Sequence, residues 1–161
     1  MNRTITSRIV PTWVRLALVA LAVPSILTGL WAVVSPQGWF EDFPGFDPRL
    51  VAAEPPFNEH LASDAGAGLL ASGLVLLVAA VLADSRSVRL GLIANAAFAL
   101  PHSLWHTFNP SEPLTDGQNI QNAGLLLFNA AAAIALYVAV SRHDRAPSPD
   151  STPSVREQVS A

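Results

Sequence analysis

Along this chain the apolar positions fall in long uninterrupted runs and show no regular alternation with polar ones. Asp, Glu, Lys and Arg are absent from 16–40, 65–83, 90–111 and 117–141, runs of 19 to 25 residues. A helix of about 20 residues crosses the hydrocarbon core of a bilayer. The stretch 73–83, GLVLLVAAVLA, carries none of the polar spacing that a helix of a soluble bundle needs on its outer face. In lipid, backbone amides must bond within their own segment, so each run predicts a spanning helix. The predicted fold class is all-α: an integral membrane four-helix bundle, with spans at about 12–35, 62–83, 88–108 and 118–141.

The charges that remain orient this bundle. The chain has no lysine. Arg3, Arg8 and Arg15 precede or open the first run, Arg86 and Arg89 lie between the second and third, and Arg142, Arg145 and Arg156 follow the fourth. Only Arg49 falls in the alternate set of connections. Positive residues stay cytoplasmic, which predicts an N-in/C-in, multi-pass membrane protein with the lipid bilayer as its first partner. Residues 1–11 then form a short cytoplasmic lead, and 142–161 a disordered cytoplasmic tail rich in Pro and Ser. Residues 36–61 are expected to form an extracytoplasmic interfacial loop whose Trp39, Phe40, Phe43 and Phe46 suit the headgroup layer, as do Trp31 and Trp105, in preference to the alternative of a substrate-gating lid. A cleavable signal ending near Ser35 is the competing reading of the first run. Its apolar core, Leu16 to Val34, is longer than the roughly 7–15 residues of a signal peptide. Retention as a span is therefore the expectation.

Composition removes several function classes. With no cysteine there are no disulfides, thiolate zinc sites or cysteine-held iron–sulfur clusters. No Walker loop, dinucleotide-binding glycine pattern or HExxH occurs. A net charge of −3 without a basic patch makes no case for nucleic acid as a partner.

Chemistry concentrates at the predicted outer boundary. In PPFNEHLASDAGAGLL, residues 55–70, the prolines stop any earlier helix and Asn58 is a good N-cap. Glu59 then suits the positive end of the helix dipole. His60 and Asp64, four apart, share a face, and a carboxylate about a turn inside the boundary needs a partner. The third run holds Asn95, His102 and His106 on one stripe, with Pro101 beside them, and the fourth begins with Gln118, Gln121 and Asn122 and carries Asn129 deeper. Counted inward, His106 falls level with His60, and His102 with Asp64. Three helices thus offer polar groups to one outward-facing layer.

Three imidazoles and a carboxylate fit a transition metal held by His60, Asp64, His102 and His106, with Glu59, Asn95, Gln118, Gln121 and Asn122 as a supporting polar layer. A haem gripped by His60 on one side and His102 or His106 on the other is a second form of the same idea. Two cofactor-free readings stand beside it. One is a hydrogen-bonded cluster that only fixes helix packing, in a structural or partner subunit. The other is a membrane enzyme using His or Asp as acid–base group on a small lipophilic substrate. The small residues of AGAGLLASG (65–73) and Ala130–Ala133 read as packing surface, and mid-run Pro24 as a kink.

The pattern FNEHLASDAGA, then PHSLWHTFN, then an Asn/Gln-rich fourth helix resembles a group of small four-helix integral membrane proteins of actinobacteria. It is similar to DoxX-like proteins in layout only. The resemblance spans residues 57 to about 140 and rests on Glu59, His60, Asp64, Gly66, His102 and His106. It implies a fold and a shared site and, with the Arg-only, Ala-rich composition that fits a high-GC bacterium, a bacterial plasma membrane; it supplies no activity.

Overall fold

The structure is a computed structural model that describes residues 8–145. The first part of the expected lead, 1–7, and most of the expected tail, 146–161, lie outside the described residues. Five helices follow one another: α1 (Thr12–Val34), α2 (Pro36–Asp42), α3 (Glu59–Leu82), α4 (Ser85–Phe108) and α5 (Asp116–Arg145). The described residues form no strand beyond one isolated bridge, Ile9 with Asp84.

The helix boundaries have local chemical causes. Asn58 caps α3 by accepting from the Leu61 amide, with Glu59 in the first turn. At its other end Ala83 turns left-handed (φ 56°). Asp84 follows at once as N-cap of α4, accepting from the amides of Arg86 and Ser87. Thr115 and Gln118 form a reciprocal capping box at the start of α5, each side chain accepting from the other's amide. Helix α5 ends at Arg145, four residues past the expected end of the last span. Arg142, His143 and Arg145 sit in its last turn, where cations complement the helix dipole.

Packing runs in series: α1 on α3, α3 on α4, and α4 on α5. On α1 the buried positions Val14, Leu18, Ala22, Ser25, Gly29 and Ala32 recur every three or four residues, forming one seam. That seam meets the glycines of α3 at near-backbone distance. A methyl placed on Gly29 would stand 2.4 Å from the Leu70 amide nitrogen, one on Gly66 2.6 Å from Ala32 Cβ, and one on Gly73 2.7 Å from Ile26 Cγ1. The small residues of 65–73 therefore serve packing within the chain.

The surface differs from that of a water-soluble bundle, although the core is apolar in the usual way. Ser25, Ser72, Ser85, Asn95 and Ser103 are buried, whereas Leu16, Leu27, Val78, Val81, Ile93 and Phe128 are exposed. Helices α1, α3 and α5 are long and apolar enough to cross a membrane. The sequence pattern predicts four such helices, and α4, 24 residues long, falls short in apolarity. Its Ser85, Asn95 and Ser103 are buried, while Leu90, Ile93, Leu100, Leu104, Trp105 and Phe108 form its exposed face.

Two ends can be distinguished. At one, Val10 donates to the Ala83 carbonyl, Ser85 to that of Arg8, and Arg15 Nε to that of Ala80 (2.8, 2.8 and 3.0 Å). Arg89 is ion-paired with Asp144 there. At the other, the long connection 35–58, including α2, meets the 109–115 loop, and Ser111 Oγ donates to the Ala53 carbonyl at 2.6 Å. Asn119 secures that loop by accepting from the Ser111 amide and donating to the carbonyls of Ser111 and Leu114.

Candidate functional site: a roofed cavity at the histidine end

Beneath α2 a cavity of about 370 Å³ is lined by all four long helices. Helix α1 contributes Pro24, Ser25 and Thr28, α3 contributes Ala65 and Leu69, and α5 contributes Asn122 and Leu126. From α4 come Phe98, His102 and His106, spaced four apart so that all three share one face. The His102 ring stacks on Phe98 (centroids 5.6 Å, 23° between planes) and meets His106 edge-on (4.9 Å, 80°). The roof is Trp39, Phe43, Leu50, Val51 and Glu54.

The connection 36–61, expected to lie along a headgroup layer, also covers the cavity. Trp39 and Phe43 turn inward, packed ring to ring at 6.1 Å, and Trp31 joins them against Phe43 at 6.3 Å. Trp39 is only 8% exposed, which corrects its expected place as an interface anchor. Phe46 and Trp105 remain exposed. Arg49 holds the loop's shape, paired with Asp42 at 2.9 Å and Asp47 at 3.3 Å. One detail of the roof is unusual. The Trp39 Nε1–H is buried and has no hydrogen-bond partner. Leaving such a donor unsatisfied costs about 1–3 kcal/mol, so an orphan of this kind calls for an explanation.

The expected layer of His60, Asp64, His102 and His106 divides into two pairs. Among the described residues no group of three or more His, Asp or Glu stands close enough to hold a metal ion. His60 Nε2 lies 3.3 Å from Asp64 Oδ2, both side chains well exposed, at 88% and 65%. The cause is azimuth. The buried face of α3 runs through Ala62, Gly66, Gly73, Leu76 and Ala80, and at about 100° per residue His60 and Asp64 point about 150° away from it. His60 is therefore outside the cavity that His102 and His106 line, and the opposed axial pair a haem needs is not formed.

The supporting residues also separate by role. Asn95, 2% exposed, accepts from Ser72 Oγ (3.2 Å) and donates to Asn129 Oδ1 (3.0 Å), tying α3, α4 and α5 together. Asn122 lines the cavity, while Gln118 is spent on the α5 cap. Glu59 and Gln121 are exposed and line no part of it. Sequence reasoning missed Trp39, Glu54 and Thr28 as cavity residues. The signal for Trp39 was its spacing from Phe43: four residues apart on a short helix started by Pro36, both rings face one way.

Compared with protein-family models, with curated proteins and with solved structures, the chain matches none.

Proposed function

We propose that this chain is a four-span membrane protein, its two ends on the cytoplasmic side of a bacterial plasma membrane, that binds a small lipophilic molecule in the outward-facing cavity under α2. Three observations support the placement. Large apolar side chains are exposed while polar ones are buried. Between Leu90 and Leu104 the exposed residues of α4 are apolar except for His102, which lines the cavity. Of the seven arginines among the described residues, all but Arg49 lie toward the end opposite the cavity.

The cavity itself carries the functional reading. Its volume of about 370 Å³ falls within the range of small-molecule sites, roughly 300–1,000 Å³. Its walls are mainly apolar, with a few convergent polar groups in His102, His106, Asn122 and Glu54. Such walls favour a lipophile, and the imidazoles can hold its polar end or exchange a proton with it. Fixing the helices falls instead to Ser72, Asn95 and Asn129, deeper in the bundle.

Solvent extracts of the protein purified in lipid nanodiscs test the reading. A small lipophile should be retained in near-equal amount to the wild-type chain and lost from Ala65→Phe, which fills the cavity, with helicity and melting temperature unchanged. Extracts of both that hold bulk phospholipid alone sink the proposal.

A further inference from the structure

Two imidazoles in the cavity wall define the chemical class of the ligand. We infer that the cavity selects an uncharged lipophile bearing a hydroxyl group, an alcohol or phenol, which donates to one of His102 and His106 and accepts from the other. The inference rests on the cavity being a binding site and goes beyond it by naming what is bound.

His102 and His106 both line the cavity, one turn apart on α4, with 4.9 Å between their ring centroids. Phe98 stacks on the His102 ring, so packing steadies the pair. Neither imidazole hydrogen-bonds to any of the described residues. The polar groups that tie the bundle together differ in this respect, since Asn95 is met by Ser72 on one helix and Asn129 on another. His60, outside the cavity, has Asp64. In its neutral form imidazole offers one nitrogen that donates and one that accepts. Two such rings side by side call for a partner able to do both. A hydroxyl does so with a single oxygen, and at this spacing that oxygen can reach both rings.

The rest of the wall narrows the choice. Glu54 accepts and, when ionised, cannot donate, and no arginine lines the cavity. A carboxylate or phosphate would enter beside a like charge and shed its hydration without a cation to meet it. A ketone, ester or ether brings an accepting oxygen but no hydrogen to donate. It strips water from the accepting imidazole nitrogen and gives it no partner. An ammonium has the opposite fault: it satisfies Glu54 but offers nothing to an imidazole N–H. Among these groups the hydroxyl alone meets both rings. The apolar walls, with Phe43, Leu69 and Phe98 among them, accommodate the remainder of the molecule.

Four probes on one skeleton separate the possibilities: 1-(2-naphthyl)ethanol, its ketone 2-acetylnaphthalene, 2-isopropylnaphthalene, in which methyl replaces hydroxyl, and 1-(2-naphthyl)ethylamine, a cation at neutral pH. Binding is titrated to the full chain in nanodiscs, each affinity being taken relative to that probe's partition into empty nanodiscs. The alcohol should bind about tenfold more tightly than the ketone or the hydrocarbon, as one buried hydrogen bond provides. The ring-nitrogen signals of the four histidines report the contact, His102 and His106 being assigned by their loss in His102→Phe and His106→Phe. Both signals should shift with alcohol bound relative to their positions with hydrocarbon bound. In each variant the alcohol's advantage over the ketone should vanish while the hydrocarbon still binds. Equal binding of alcohol and ketone to the wild type, or ring-nitrogen signals that match with alcohol and with hydrocarbon, overturns this inference and leaves the cavity reading standing. Tightest binding by the amine overturns it in favour of selection by Glu54. If no probe binds saturably, the cavity reading falls with it. The wild-type affinities decide the matter even if neither variant folds.

Discussion

At the arginine end Val14, Leu18, Leu76, Val88 and Leu92 are at most 1% exposed, and three backbone carbonyls are gripped from the neighbouring segment. At the histidine end the four long helices line open volume beneath a loop, although α1 and α3 stay in contact there at Ala32 and Gly66. The difference follows from the connections. Only Ala83 and Asp84 separate α3 from α4, so those helices are held as neighbours from the first turn. The opposite ends are joined through 35–58 and 109–115, which cover the cavity, while α1 and α3 remain in backbone contact there at Gly66. The sharp α3/α4 turn thus closes one end, and room for a ligand appears at the other, beside the α1/α3 seam.

That contrast can be broken most severely at the α1/α3 seam. Gly66→Leu should destabilise the chain by about 3 kcal/mol, because overpacking against Ala32 cannot be relieved by a rotamer change. Gly68→Leu is the internal control: its added methyl meets only the Phe98 ring at 3.5 Å, and stability should stay within about 1 kcal/mol. Thermal unfolding in mild detergent measures both.

The arginine end is tested next by Arg89→Met, which leaves Asp144 without its partner in a partly buried setting. The expected loss is about 1–2 kcal/mol, below that of a fully buried pair because both groups retain some solvent. The double variant Arg89→Met/Asp144→Leu should recover most of it. A smaller loss, about 1 kcal/mol, is expected for Asn95→Leu, which removes both interhelical hydrogen bonds at the middle of the bundle.

The smallest effect sharpens the account of the histidine end. His60→Ala and Asp64→Ala should each change stability by no more than about 0.5 kcal/mol, as an exposed ion pair does. Probe affinity should also be unchanged. A loss of binding in either variant would return His60 and Asp64 to the site.

Much of the architecture was legible because it depends on one dimension. The charge-free runs, the Asn58 cap and the glycines of α3 are all readable from spacing along the chain. Depth along each helix was legible for the same reason. Ala65, next to Asp64, lines the same cavity as His102 and His106. The direction each side chain faces around its helix was not. On a helix with charged residues only at its first turns and glycines facing both α1 and α4, hydropathy alone does not say which face docks. Here backbone contact with α1 at Gly66 decides it and turns His60 outward. The roof was hidden for a different reason: aromatics alternating with acids suit a headgroup layer as well as a lid, and only their packing tells the two apart.

The glycine contacts of α1 and α3 also bear on how the protein is made. These are consecutive long helices, joined through residues 35–58, and their contact needs nothing from α4 or α5 at Gly29, Gly66 or Gly73. A nascent chain arrested before residue 85 would already contain both partners of the tightest seam. Synthesis can therefore deliver the molecule as two successive hairpins, the first complete before the second leaves the ribosome.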